Sequence, residues 1–208
     1  MPESAAIDLF LSDPSSANGF TVMSGFAHAL TEARRVTGRD PASGTKKNNA
    51  LHGSWIGAVG YFALLDQISD CFKPKGAAPV TLNGLRRALA HFTALLPAER
   101  DALYALRCAF AHDYSLYNIN PRQPSLTHNF QVVQSPSASL VVLPSVAWDG
   151  DYKSRNSTNQ TTVNLEAFGD LVENIVIKIK ALNQKRDLEI LLPDGSDELV
   201  SRYMFSSR

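Results

Sequence analysis

The chain has 208 residues, enough for one domain with a hydrophobic core of its own. Its 20 Lys and Arg residues balance 20 Asp and Glu residues, which argues against a polybasic protein that coats nucleic acid or an anionic membrane. Apolar residues make up 44% of the chain, which excludes a wholly disordered protein.

The first residues and the two cysteines indicate the class of protein. The start, MPESAAIDLFLSDP, lacks the basic region and the long apolar run of a signal peptide. The apolar runs fall far short of the roughly 18 residues that a membrane span needs. Cys71 and Cys108 lie in apolar helical patterns and are too few for a disulfide framework or a four-cysteine zinc site. We therefore expect a soluble cytoplasmic protein with buried free thiols and no membrane contact.

Apolar spacing predicts helices in the first part of the chain. Residues 1–17 are expected to form a short helix or an arm, and residues 20–37 show the helical period. The polar, basic segment 38–52 is predicted to be a loop. A helix follows over residues 54–73, with Ser54 as its N-cap. Because that helix is apolar on nearly all sides, we expect it at the centre of a bundle.

Two more helices are predicted before residue 119. Thr81 can cap the first of them, and Pro97 can begin the second, which runs to His112. Only a short link separates the two helices, so we expect them to be antiparallel neighbours.

The second part of the chain has a different composition. The short β-branched runs at 130–134 and 140–144 surround a turn and predict a hairpin. Residues 155–162 are predicted to be a polar loop. A long helix follows, with Asn164 as its N-cap. Residues 188–196 are predicted to form a strand and a turn, and the last residues to be loose.

Together these elements predict a mainly α fold in a single domain over residues 1–208. The expected architecture is an up-and-down helical bundle with a small β-hairpin insertion before the last long helix. The helical core covers about 20–118 and 164–184, and the β insertion covers about 128–163.

Two carboxylates interrupt the apolar helix at 54–73. Asp66 and Asp70 are four residues apart and so lie about 40° apart around the helix axis. They share the arc of Val59 and Phe62. We therefore expect both carboxylates to point toward packed surface.

Arg107 and His112 are the residues that suggest chemistry. Arg107 falls on the apolar stripe of its helix, where a guanidinium without an anion would be costly. Asp66, Asp70 or a ligand phosphate can supply that anion. One interpretation is structural: Arg107 forms a buried ion pair, and His112 complements the negative end of the helix dipole. The other interpretation is a catalytic site.

The pair Arg107 and His112, at the end of an antiparallel helix pair, resembles the R-x4-6-H motif of the HEPN family. Members of that family are up-and-down bundles of four or five helices. The resemblance covers residues 20–118 and the helix at 164–184, and the acidic pair on the central helix has a suitable position.

The resemblance implies metal-independent RNA cleavage without a cofactor. His112 would act as general base or acid, and Arg107 would bind the phosphoryl oxygens as negative charge accumulates. The resemblance also implies a homodimer in which two motifs line one cleft. A straight helix places residues 107 and 112 about 140° apart, so their convergence needs a helix bend or a second subunit.

Four residues beyond His112 are further candidates for this cleft. Tyr114 and Tyr117 can stack on bases or pack beneath the β insertion. Asp113 can orient the imidazole or cap a turn, and Asn118 lies close by in sequence.

The first functional hypothesis is therefore an RNA-binding or RNA-cleaving domain, in a defence or toxin–antitoxin setting. Cys108 follows Arg107 where many members of the family carry a polar residue. This departure and the balanced charge favour the alternative, a non-catalytic helical module that dimerises, binds a protein partner or binds a nucleotide. A carboxylate metal site is disfavoured because the Glu-x-x-His motifs of such sites are absent.

Overall fold

Half of the chain is helical and several small sheets complete the structure, so the prediction of a mainly α protein is confirmed. The computed structural model describes residues 1–12, 15–17, 20–48 and 50–207. Within this part of the chain the α-helices are α1 (Glu3–Leu11), α2 (Gly25–Val36), α3 (Trp55–Cys71), α4 (Leu85–Phe92), α5 (Pro97–Asp113), α6 (Leu165–Gln184) and α7 (Gly195–Tyr203).

The strands form three small sheets. They are β1 (Ser15–Ala17), β2 (Phe20–Ser24), β3 (Phe72–Pro74), β4 (Tyr117–Asn118), β5 (His128–Val133), β6 (Val141–Val142), β7 (Gln160–Asn164), β8 (Leu188–Ile190) and β9 (Met204–Ser207). The sheet orders are β1-β2-β9, β3-β8 and β4-β5-β7-β6. The helices in the described residues are too short or too polar to cross a membrane.

Local capping signals fix the start of three helices as predicted. The Ser54 hydroxyl accepts the backbone N–H of Gly57 at 3.3 Å and caps α3. Pro97 opens α5, where its missing N–H removes no helical bond. The Asn164 side chain accepts the backbone N–H of Glu166 at 3.1 Å and caps α6.

Helix α3 is the centre of the hydrophobic core, as its apolar sequence predicts. It contacts α2, α4, α5 and α6. Its Phe62 ring lies 4.4 Å from the Phe168 ring of α6 and 6.2 Å from the Phe110 ring of α5, measured between centroids. The buried cluster also takes in residues of α1, α7 and the strands.

The prediction of one helix over residues 20–37 is wrong at its start. Residues 20–24 form β2, and α2 begins only at Gly25, after Ser24 has accepted the Ala27 N–H. The reason is a distant partner, because β2 pairs with β9 at the other end of the chain, with Met23 opposite Phe205.

The ends of the chain are more ordered than predicted. The short helix expected within residues 1–17 is α1, while positions 13 and 14 of that segment lie outside the described residues. The last residues, expected to be loose, form α7 and β9, and α7 packs against α1. Leu199 of α7 is fully buried. The strand predicted from residue 188 is β8, which pairs with β3.

The predicted hairpin is also wrong. Strands β5 and β6 do not pair with each other, because β7 lies between them. β7 runs parallel to β5 and antiparallel to β6. The predicted polar loop at 155–162 includes the first three residues of β7, yet Thr161 and Val163 alternate inward with the period of a strand. Because its threonines are polar, the sequence of β7 does not indicate a central strand.

Helix α4 begins three residues later than a Thr81 cap would allow. Gly84 is its N-cap, with a φ of +53°. The N–H of Leu85 donates to the Asp66 carboxylate of α3 at 2.8 Å. A Cβ on Gly84 would lie 2.9 Å from that carboxylate, so the close approach requires glycine. A distant carboxylate thus caps this helix.

The basic segment 38–52 is a loop, and it is fastened to α6 by ion pairs. Arg39 lies 2.8 Å from Asp170, and Lys46 lies 2.7 Å from both Asp170 and Glu166. Just before the loop, Arg34 of α2 makes a bidentate pair with Glu173 at 2.7 and 2.9 Å. The positive charges of Arg39 and Lys46 are therefore paired with carboxylates of α6. Residue 49 of the loop lies outside the described residues.

A buried histidine should make folding pH-dependent. The His128 ring contacts the Thr161 hydroxyl at 2.8 Å and the Ser125 carbonyl at 3.0 Å. Burial lowers the pKa of His128 below its usual 6.5, so the folded chain holds the ring neutral. The unfolded chain takes up the proton first, and the stabilisation present above pH 6.5 is lost as the pH falls.

We expect the free energy of unfolding to fall as the pH falls from 7 to 5 because of this ring. Urea titrations of wild type and His128→Gln measure it. The variant should show a smaller slope against pH than wild type. Equal slopes in wild type and His128→Gln would contradict the assignment.

Candidate functional site

Arg107 lies on α5 opposite Asp66 of α3. Its Nε donates to Oδ2 of Asp66 at 2.9 Å, and its Nη2 lies 2.8 Å from the same oxygen. The side chains are 30% and 22% exposed, so the pair is neither sealed in the core nor fully hydrated. The ion pair that the sequence predicts for this arginine is therefore formed, with Asp66 as the anion.

Asp66 organises three helices at this point. Its Oδ1 accepts the first N–H of α4, while its Oδ2 accepts Arg107 from α5. Burial by itself would lower the pKa of Arg107, but the Asp66 carboxylate outweighs it and raises that pKa. The ion pair with Asp66 therefore favours the charged form of the guanidinium.

A small open pocket lies beside this pair. Its walls are formed by α3 and α5, with a volume of about 70 Å³, and its lining residues are Val59, Phe62, Ala63, Asp66, Arg107, Phe110 and Ala111. Among the described residues, the lining holds one cation, Arg107, beside its carboxylate partner Asp66, and the other lining residues are apolar. An anionic group with an apolar neighbour would therefore contact Arg107 next to a carboxylate that opposes it. The volume is too small to enclose a whole nucleotide.

His112 does not line this pocket. Helix α5 continues without interruption through Asp113, so His112 lies about 140° around the axis from Arg107. The imidazole is exposed and occupies the last turn, where a positive charge complements the helix dipole. Within one subunit, therefore, the two residues of the motif point in different directions.

Asp70 does not point toward packed surface as predicted. Its side chain is 61% exposed and pairs with Nη2 of Arg87 at 2.7 Å. Arg87 of α4 is held in place because its Nε also donates to the Ser69 carbonyl at 2.8 Å. The Asp70 carboxylate points outward and pairs with Arg87 of α4, a partner that the periodicity of α3 does not predict.

The residues that follow His112 divide into two groups. Asp113 and Tyr114 are exposed at the end of α5. Tyr114 takes the left-handed conformation, with φ of +49°, and its ring lies 5.4 Å from that of Trp55. Both residues therefore lie at the C-terminal end of α5 and are accessible to a ligand.

Tyr117 and Asn118 lie farther along, on β4. The Tyr117 ring packs against Trp148 at 5.9 Å and Tyr152 at 5.2 Å, and the Arg155 guanidinium lies over it at 5.3 Å. Asn118 donates to the Leu126 carbonyl at 2.6 Å. Tyr117 thus packs within the β segment, as one of its two interpretations expects.

The two cysteines differ in exposure. Cys71 is fully buried, and burial raises the pKa of its thiol to about 12. Cys108 on α5 is only half-buried. The expectation that both are buried is therefore correct for Cys71 alone.

Sequence reasoning overlooked two charged clusters. One is the acidic stripe Glu166, Asp170 and Glu173 on α6, whose spacing of four and three residues was a usable signal. The other brings together Lys73, Arg87 and Arg202, which are far apart in sequence and leave no local signal. In the described part of the chain, no three His, Cys, Asp or Glu side chains converge as a metal site would require.

Comparison of the chain with family models, with characterised proteins and with solved structures finds no match.

Proposed function

We propose that the chain is an RNA-binding module of the HEPN type, an up-and-down bundle that cleaves RNA without metal only as a homodimer. The observation that carries the proposal is the Arg107 guanidinium, which pairs with one carboxylate and lines an open pocket. A guanidinium in such a lining can donate hydrogen bonds to a phosphate.

A second subunit accounts for the position of His112. Exposed apolar side chains lie at the start of α3, with Ile56 at 66% exposure, and at the end of α5, with Tyr114 at 50%. Ala63 and Ala111, which line the Arg107 pocket, are exposed on the same two helices. The proposal requires a two-fold axis near the C-terminal end of α5 that brings His112 of the partner subunit toward Arg107.

The chemistry then needs only these two groups. The imidazole accepts the proton of the RNA 2′-hydroxyl as that oxygen attacks the adjacent phosphorus. The new bond from O2′ to phosphorus forms as the bond to O5′ breaks, and a proton returns to O5′. Arg107 stabilises the negative charge that develops on the phosphoryl oxygens. The products are a 2′,3′-cyclic phosphate and a 5′-hydroxyl.

The alternative is a non-catalytic module, and the Arg107–Asp66 pair favours it because the ion pair already satisfies part of the guanidinium. The balanced net charge also favours weak RNA affinity.

Incubation of the protein with a labelled, unstructured RNA in EDTA distinguishes the two. The proposal expects cyclic phosphate ends and no cleavage of DNA of the same sequence, which lacks the 2′-hydroxyl. Intact RNA at all protein concentrations would favour the non-catalytic module.

A further inference from the structure

A second pocket, of about 430 Å³, lies near the C-terminal end of α3 and shares no lining residue with the Arg107 pocket. Three cations line it: Lys73 of β3, Arg87 of α4 and Arg202 of α7. They come from three elements, and the β3–β8 pairing brings the neighbouring segment Leu191–Pro193 to the same place. The fold therefore assembles a basic cluster from distant parts of the chain.

Each of the three cations that line this pocket is paired with a carboxylate, and two of those carboxylates lie outside the lining. Asp70 is the single carboxylate among the described residues that line it. The partners of the other two cations, Glu189 for Lys73 at 3.3 Å and Glu198 for Arg202 at 2.9 Å, lie outside the lining.

His91 reports the local potential of two of these cations. Its ring lines the pocket, and its pKa is lowered first by burial and then by the positive charges of Arg87 and Lys73. Arg87 and Lys73 thus disfavour a positive charge on the His91 ring, and the same two cations would favour a bound anion.

Hydrogen bonds fix the orientation of the Arg87 guanidinium. Its Nε donates to the Ser69 carbonyl at 2.8 Å and its Nη2 to Asp70 at 2.7 Å, so the guanidinium plane is fixed before any ligand arrives. Its side chain is 28% exposed. A fixed, planar guanidinium suits the paired acceptor oxygens of a phosphate.

The remaining wall of the pocket is apolar. It is formed by Pro79, Val80, Leu191, Leu192 and Pro193. A bare phosphate would leave this wall and most of the volume unused, because cavities of about 300 Å³ and above accommodate small organic molecules.

We propose that this pocket binds a small phosphomonoester, with its phosphate on Lys73, Arg87 and Arg202 and its organic body on the apolar wall. The inference is independent of RNA cleavage at the Arg107 pocket. Asp70 opposes the phosphate and weakens its binding, while it holds Arg87 in position.

Isothermal titration with phenyl phosphate, AMP, inorganic phosphate and phenol tests this assignment. Phenyl phosphate and AMP should bind saturably at one site. Inorganic phosphate should bind about ten-fold more weakly, since it lacks the body, and phenol should not bind measurably.

Three variants locate the site. Arg202→Gln, at a largely exposed side chain, should weaken phenyl phosphate binding about ten-fold or more. Lys180→Gln removes the same charge from an exposed position on α6 and should leave the affinity unchanged. Asp70→Asn should strengthen binding about two- to five-fold, because it removes the opposing carboxylate. A gain of affinity cannot arise from a failure to fold.

Three results would each overturn the proposal. They are the absence of saturable binding by every phosphate, equal affinities of wild type and Arg202→Gln, and binding of inorganic phosphate as tight as that of phenyl phosphate. Since none of these measurements uses RNA cleavage, an inactive nuclease would leave the outcome unchanged.

Discussion

Arg107→Ala and His112→Ala are each expected to slow RNA cleavage about a hundred-fold or more, because they remove the group that stabilises the phosphoryl charge and the group that moves the proton. Single-turnover cleavage of a labelled RNA in EDTA measures the effect. His112 is exposed, so its replacement should leave the melting temperature close to that of wild type.

Matched controls lie on α2. Arg35→Ala and His28→Ala remove the same kinds of side chain from exposed helical positions and should retain wild-type cleavage. Cleavage that persists in both Arg107→Ala and His112→Ala would place the activity elsewhere or in a contaminant. Loss in the α2 variants as well would indicate a general effect of charge.

Glu173→Gln is expected to destabilise the fold by about 3–5 kcal/mol, because it removes the carboxylate from a buried ion pair with Arg34. The two side chains are only 8% and 9% exposed. Tyr61 also donates its hydroxyl to Glu173 at 2.9 Å, and burial together with that carboxylate raises the pKa of Tyr61. Urea unfolding followed by circular dichroism measures the loss.

The matched control is the exposed pair of Glu32 and Arg35. Glu32→Gln should change stability by no more than about 1 kcal/mol, because solvent screens that pair. The double variant Arg34→Met with Glu173→Leu should recover much of the loss, since apolar side chains replace both buried charges. If Glu173→Gln were as stable as Glu32→Gln, the buried pair of Arg34 and Glu173 would not stabilise the fold as we expect.

The elements that the sequence predicts correctly carry their own signals. Helices α3, α5 and α6 each combine a long apolar period with a local start at Ser54, Pro97 or Asn164. Such signals depend on neighbours within a few residues, so no tertiary information is needed to interpret them.

The errors share a different cause, which is a partner that is distant in sequence. β2 is a strand because β9 pairs with it, and α4 begins at Leu85 because Asp66 of α3 accepts its first N–H. β7 is a strand because β5 and β6 flank it. Sequence patterns within a short window contain none of these partners.

The same contrast between local signals and distant partners applies to the candidate site. An arginine on an apolar stripe needs an anion, and this requirement predicts Asp66, Asp70 or a ligand phosphate as the partner of Arg107. The structure shows Asp66 in that position. The outward turn of Asp70 depends on Arg87, and the basic pocket depends on residues that span 73 to 202. Helical geometry does predict the separation of Arg107 and His112, and α5 keeps it because the helix does not bend before Tyr114.

Mixing two inactive variants tests most directly whether Arg107 and His112 act across a subunit interface. After Arg107→Ala and His112→Ala protein are combined and allowed to exchange subunits, half of the dimers should contain one copy of each variant. Each such dimer keeps one complete site of two, so the mixture should regain about a quarter of wild-type cleavage. A mixture that exchanges subunits and stays as inactive as its components would contradict the account.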